Sequence, residues 1–213
     1  IGEPLDNYDN VLRFLQLCSA QQGLGIGQRH ISLSTCGLVD KIDCLAEEKL
    51  GITLSISLHA PTDALRSAIM PVNEKWGVDA LLCATVRYFE KTGRRISFEY
   101  TLIHGKNDTE AEALSLAALL KKHANGKMPL HVNLIPVNPV KERGFSPGST
   151  AQIHAFAALL EKNGITATVR RRLGADIDAS CGQLRARLEQ DRRRAPQTAE
   201  LDTKGAAQCS ITE

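Results

Sequence analysis

Aromatic residues are scarce in this 213-residue chain, where five Phe, three Tyr and one Trp amount to 4%. A core built on rings is therefore excluded, and Leu, Ile, Val and Ala have to fill it. No apolar run approaches the ~20 residues that a membrane helix needs. No charged segment followed by an apolar stretch opens the sequence. The expectation is a soluble, cytoplasmic protein with no membrane partner. The six cysteines (Cys18, Cys36, Cys44, Cys83, Cys181 and Cys209) are dispersed and form neither CxxC nor CxxxCxxC. That spacing argues for reduced thiols over a disulfide framework, and against a metal site within this chain. Net charge is low as well, at +2.

The charge is unevenly spread. From Gly164 to Arg194 eight arginines face four acids, with Arg170-Arg171-Arg172 and Arg192-Arg193-Arg194 the densest parts. Two readings stay open: contact with nucleic-acid phosphates, which depends on such clusters, or a solvated strand end followed by a charged tail.

With 43% hydrophobic residues the chain can bury a core, and its length fits one domain. Residues 1–190 read as that domain and residues 191–213 as a basic to disordered tail. Five times a short run ends on a polar cluster: Gly2-Glu3-Pro4, Ser34-Thr35, Ser57-Leu58-His59, His104-Gly105 and Asn138-Pro139. Four of the runs, at 30–33, 53–56, 95–103 and 131–137, read as strands, and a further strand is predicted at 165–171.

Helical spacing is predicted at 10–18, with Asp9 or Asn10 as cap, and at 37–49, 63–69, 78–90, 109–122, 150–162 and 176–189. The turn at 105–108 is expected to cap the helix that follows it, and the Pro- and Gly-rich stretch at 136–148 to form a long loop. Gly23-Leu24-Gly25-Ile26-Gly27 lacks a following Lys-Ser/Thr and precedes a strand, so it reads as a turn and not as a phosphate loop.

Alternating strands and helices give an α/β fold with a parallel sheet, whose ligand groups sit at the carboxyl ends of the strands. The polar clusters therefore read as one site. A complete eight-stranded barrel takes about 250 residues, and no strand precedes Gly2-Glu3, so the expected architecture is a partial TIM-type (β/α) barrel, incomplete at its N-terminus.

Six blocks carry a more specific resemblance: Gly2-Glu3-Pro4-Leu5, Leu33-Ser34-Thr35-Cys36-Gly37, Ile56-Ser57-Leu58-His59-Ala60-Pro61, Gly105-Lys106-Asn107-Asp108, Asn133-Leu134-Ile135-Pro136-Val137-Asn138-Pro139 and Asp176-Ile177-Asp178-Ala179-Ser180-Cys181-Gly182-Gln183-Leu184. In order and spacing they resemble the radical SAM RNA methyltransferases that modify carbon 2 of adenine in 23S ribosomal RNA and some transfer RNAs. The resemblance implies a barrel of the radical SAM type. It also implies that Gly2, Glu3, Ser34, Ser57, Leu58, His59 and Asn138 bind S-adenosylmethionine, with the Glu3 carboxylate suited to the cofactor's ammonium.

Cys181 matches the cysteine that such enzymes methylate on sulfur before a SAM-derived radical carries that carbon to the adenine. The resemblance further implies a 4Fe-4S cluster, an electron donor such as flavodoxin or ferredoxin, and a monomer acting on 23S rRNA and tRNA. The family's CxxxCxxC, resolving cysteine, proton-accepting acid and N-terminal RNA-binding domain lie before the Gly-Glu-Pro motif, so the chain is expected to be the back portion of something longer. The alternatives are the sister activity on carbon 8 of the same adenine and a catalytically inactive stub that binds RNA. Cys36 receives no role, because the family tolerates serine there.

Overall fold

The computed structural model describes residues 2–138 and 145–170. Five parallel strands form one sheet in the order β1 (Ser32–Thr35), β2 (Thr53–Ser57), β3 (Ile96–Leu102), β4 (His131–Pro136) and β5 (Thr166–Val169). Every strand lies beside the next one in sequence. That winding has no switch point, and right-handed crossovers between adjacent parallel strands leave their helices on one face. The sheet is thus a sector of a (β/α) barrel.

The period-2 pattern of the strands decides the two faces. Leu33, Leu54, Ile56, Ile96, Phe98, Tyr100, Leu102, Val132 and Leu134 are all buried on the helix-covered side. Positions of the other parity carry Ser34, Ser55 and Ser97 in one register row, and Ser57, Glu99, Asn133 and Thr168 in adjoining pairs. Parallel sheets usually present apolar residues on both faces. Here one face is polar, as the lumen of a ligand-binding barrel requires.

The helices are α1 (Tyr8–Ser19), α2 (Val39–Glu47), α3 (Asp63–Ile69), α4 (Val78–Thr92), α5 (Glu110–Ala124) and α6 (Thr150–Lys162). Reciprocal capping boxes start two of them, Thr109 with Glu112 on α5 and Ser149 with Gln152 on α6. Gly93 closes α4 at φ 61°, a left-handed conformation that glycine adopts without a Cβ penalty. No helix among the described residues is long and apolar enough to cross a membrane.

Several boundaries differ from expectation. A 3₁₀ turn at Pro4–Asn7 runs directly into α1, so the helix starts before Asp9 and Asn10, and Asn7 stands at its N-cap position. The strand predicted at 30–33 lies later, because Gln28–His30 closes a 3₁₀ turn and the alternation of Ser32 to Thr35 puts Leu33 and Thr35 into the core. Thr109, not the preceding turn, caps α5; Asp108 accepts instead from Gly105 N–H within that turn. The last strand ends at Val169. The helix predicted at 176–189, the tail, Cys181, Cys209, Arg171, Arg172 and Arg192 to Arg194 lie outside the described residues, as does Pro139 with much of the predicted loop.

Candidate functional site

Three of the polar clusters meet at the carboxyl end of the sheet. Glu3 caps the 3₁₀ turn, its Oε1 accepting from Leu5 N–H at 3.0 Å, while Oε2 accepts from Cys36 N–H at 2.7 Å just beyond β1. The Glu3 carboxylate therefore ties the first described segment to the end of β1, with one main-chain donor on each oxygen. The expectation for this residue was a side chain facing a ligand ammonium; what it does visibly is fix the backbone on either side of the cluster.

Behind the rim lies Arg66 of α3, fully buried. Its Nε donates to Leu58 O at 3.1 Å, and Nη2 donates to Cys36 O at 2.7 Å and Ser57 O at 3.1 Å. Nη1 donates to Asn73 Oδ1 at 3.0 Å. One guanidinium thus clamps the ends of β1 and β2 through three carbonyls, matching its fixed fork of five N–H donors. Asn73, also buried, donates to Asp63 and to Ser67 Oγ. Asp63 in turn accepts from Val78 N–H, and these donors hold its carboxyl below the usual range, the Val78 bond being the largest cause. Gly37 approaches this clamp at φ 106°, where an added Cβ would come within 2.8 Å of Leu81. Only glycine fits that turn.

His59 stands in a left-handed conformation, φ 60°, at the end of the Ser57-Leu58-His59 cluster. Its Nδ1 accepts from Thr101 N–H at 3.0 Å, and its carbonyl accepts from the buried Asn107 Nδ2 at 2.8 Å. Asn107 also donates to Thr101 O and accepts from Ile103 N–H, which locks the ends of β2 and β3 together. Burial, with Arg66 adding repulsion, pushes the His59 pKa down to about 4. The ring is therefore neutral near pH 7, and with Nδ1 accepting, its proton resides on Nε2. His59 offers a ligand a donor, not a charge.

Ser34 is exposed on the lumen side of β1, and Asn138 follows β4 at the same end of the sheet. Gly2 directly precedes Glu3. The Cys36 thiol is pushed up to about 12 by burial and the neighbouring Glu3, so it is protonated and a poor nucleophile.

The sequence reading missed Arg66, Asn73 and the lumen residue Glu99. A usable signal for Glu99 was present in the polar-apolar alternation of Ile96 to Leu102. Among the described residues, no group of three or more His, Cys, Asp or Glu side chains is arranged to hold a metal ion. These residues therefore do not fit an iron–sulfur cluster as its ligands. They do fit a polar organic ligand, because the rim combines fixed backbone donors and acceptors with a neutral imidazole above a polar lumen.

Comparison with known proteins agrees with this geometry. Over 187 residues the chain is 54% identical to a protein of Pelotomaculum thermopropionicum named a probable dual-specificity RNA methyltransferase RlmN, covering 88% of this chain and 50% of that protein. A protein of the same name from Clostridium perfringens is 54% identical over 184 residues, 86% of this chain and 52% of its own length. The chain thus spans about half the length of the curated relatives it matches. A crystal structure of a radical SAM methyltransferase from Sphaerobacter thermophilus superposes with a TM-score of 0.81 at 45% identity, covering 87% of this chain and 53% of that one. A domain of a pyruvate-formate lyase-activating enzyme from Bacteroides vulgatus, 21% identical with a TM-score of 0.57, shares the fold. No protein-family model matches the chain.

Two predictions follow from the clamp and the imidazole. Arg66→Met leaves the carbonyls of Cys36, Ser57 and Leu58 without donors, so denaturant unfolding should show a loss of roughly 3–5 kcal/mol; wild-type stability in that variant would remove the clamp from the account. The depressed His59 pKa means the unfolded chain binds the extra proton first. Its stabilisation is therefore complete above about pH 6.5 and is lost as pH falls toward about 4. His131 is shifted the same way by burial and Arg95, so the test is a difference: His59→Asn should lose less stability than wild type between about pH 7 and about pH 4.5, whereas equal losses would contradict the assignment.

Proposed function

The chain belongs to the dual-specificity RNA methyltransferases of the radical SAM type, and from that premise we propose that the intact protein methylates carbon 2 of an adenine in 23S ribosomal RNA and in transfer RNA. The observation that supports this most is the convergence on one rim of Cys36, Ser57 and Leu58 through Arg66, of Glu3 through Cys36 N–H, and of His59 through Asn107. In this reading S-adenosylmethionine and a 4Fe-4S cluster supply, when bound, the methyl group and the one-electron chemistry that an unreactive aromatic carbon needs.

The chain's own residues bind and orient the cofactor. Gly2, the hydroxyl of Ser34 and the Ser57-Leu58-His59 segment receive it at the strand ends, with Asn138 closing the far side. His59 donates from Nε2 without adding positive charge beside a cationic ligand. Glu3 holds the loop between β1 and α2 in the shape that accepts it. Cys181 takes the methyl group on sulfur. Arg170, exposed just after β5 and hydrogen-bonded through its backbone to Leu134 O, begins the basic run that contacts RNA phosphates. The reaction takes place in the cytoplasm with a flavodoxin or ferredoxin as electron donor.

The test is mass spectrometry of nucleosides from RNA treated with the intact protein, S-adenosylmethionine and a reductant. The reading expects 2-methyladenosine from wild type and none from Cys181→Ala, with S-adenosylmethionine affinity unchanged in the variant. Only 8-methyladenosine would assign the sister activity, and product from Cys181→Ala would remove that residue from the chemistry.

A further inference from the structure

One acidic side chain on the lumen face has no role in the reading above. Glu99, half-buried in the middle of β3, is the only carboxylate among the lumen-facing positions of the five described strands. The sheet holds it firmly: Oε1 accepts from Ser97 Oγ at 3.0 Å, and Oε2 accepts from Asn133 Nδ2 at 2.7 Å. The brace continues outward, since Thr168 Oγ1 donates to Asn133 Oδ1 at 3.1 Å. His131 Nδ1 lies 3.0 Å from Ser97 Oγ and its Nε2 lies 3.2 Å from Thr168 Oγ1; with both hydroxyl protons given to Glu99 and Asn133, the neutral ring donates to one of the two.

No Lys, Arg or His among the described residues lies within ion-pair distance of this carboxylate. His131, lowered by burial and by Arg95 against the pull of Glu99 itself, does not supply the missing charge near pH 7. The surrounding groups facing Glu99 are the neutral hydroxyls and amide of Ser57, Ser97, Asn133 and Thr168.

An ionised carboxylate has about four acceptor sites on two oxygens. The sheet uses one on each oxygen. What remains is a pair of adjacent acceptors, pre-oriented by two donors and set among neutral groups, which is the complement of two donors on neighbouring atoms. A vicinal diol is that arrangement, and acidic side chains bind ribose hydroxyls in other nucleotide sites for this reason. Position agrees, because Glu99 is the register partner of Ser57, the first residue of the Ser57-Leu58-His59 cluster.

We propose that Glu99 is a binding residue for the vicinal ribose hydroxyls of the adenosine of S-adenosylmethionine, held in the lumen beside the rim cluster. The inference rests on the function proposed above, in which two adenosines are available: that of S-adenosylmethionine and that of the target RNA. Only the first presents the free diol, because the 3′-oxygen of an adenosine within an RNA chain is esterified to the next phosphate.

The experiment measures equilibrium binding to the intact protein of S-adenosylmethionine and its 2′-deoxyribose analogue, and of a target RNA stem-loop with adenosine or 2′-deoxyadenosine at the modified position. If the cofactor's ribose is bound, removal of the hydroxyl weakens wild-type binding about tenfold or more, the effect of losing a hydrogen bond to a charged group. Glu99→Gln then binds both forms with similar, weaker affinity, and the two RNAs are indistinguishable. A preference confined to the stem-loops overturns the inference, because an internal RNA ribose offers a single hydroxyl and not a diol. Glu99→Asp, which keeps the charge but withdraws it by one methylene, should lose the preference too, and the wild-type arms depend on no variant's folding. A Glu99→Gln protein that keeps the wild-type ribose preference overturns the inference alone, as does a wild type indifferent to the hydroxyl of S-adenosylmethionine. A wild type that binds neither S-adenosylmethionine nor RNA overturns the proposed function, and this inference with it.

Discussion

A guanidinium buried away from any carboxylate partner has to find its electrostatic complement in neutral groups, and Arg66 finds it in the carbonyls at the ends of two strands. Burial alone would be costly for such an ion. Its donors are matched by Cys36 O, Ser57 O, Leu58 O and Asn73 Oδ1, and burial lowers its pKa while Asp63 nearby offsets part of that. Much follows from this one residue. Carbonyls that would otherwise be free to turn are fixed, Gly37 must lack a side chain, and the loop leading to His59 is held in a conformation that a bulky residue adopts only under constraint.

A second constraint works across the sheet. The helix-covered face is apolar and supplies the core, while the lumen face of the described strands is mostly Ser, Thr, Asn and His, with one Glu and Ile135. The same alternation therefore produces stability on one side and a polar, donor-rich surface on the other. The rim belongs to the lumen side, and Asn107 couples its parts by bonding the His59 carbonyl and the end of β3 together. Because the polar groups are satisfied by one another, the surface is shaped before a ligand arrives, which limits the ordering cost of binding.

Much of the fold could be read from local signals. Asp63–Ile69 and Thr150–Lys162 were legible to the residue from their helical spacing, and the structure caps them with Thr62 and Ser149. The first strand was displaced because its apolar start was weighed above the alternation of Ser32 to Thr35. Strand-end clusters were legible as a group, since a parallel sheet brings them to one edge. Their support was not. Arg66 lies in a short helix, where a lone arginine reads as surface, and its partners Cys36 and Ser57 are brought near only by the tertiary fold. Glu3 was read as a ligand carboxylate from the matched Gly-Glu-Pro motif, and nothing local shows that Cys36 N–H will also reach it.

The central claim is that dispersed strand-end residues form one prebuilt site for S-adenosylmethionine. Backbone amide chemical shifts of the protein, followed by NMR as that cofactor is added, test it most directly. The account predicts shifts confined to residues around Glu3, Ser34 to Gly37, Ser57 to His59 and Asn138. Shifts centred on the helix-covered outer face, or none at saturating cofactor, would contradict it.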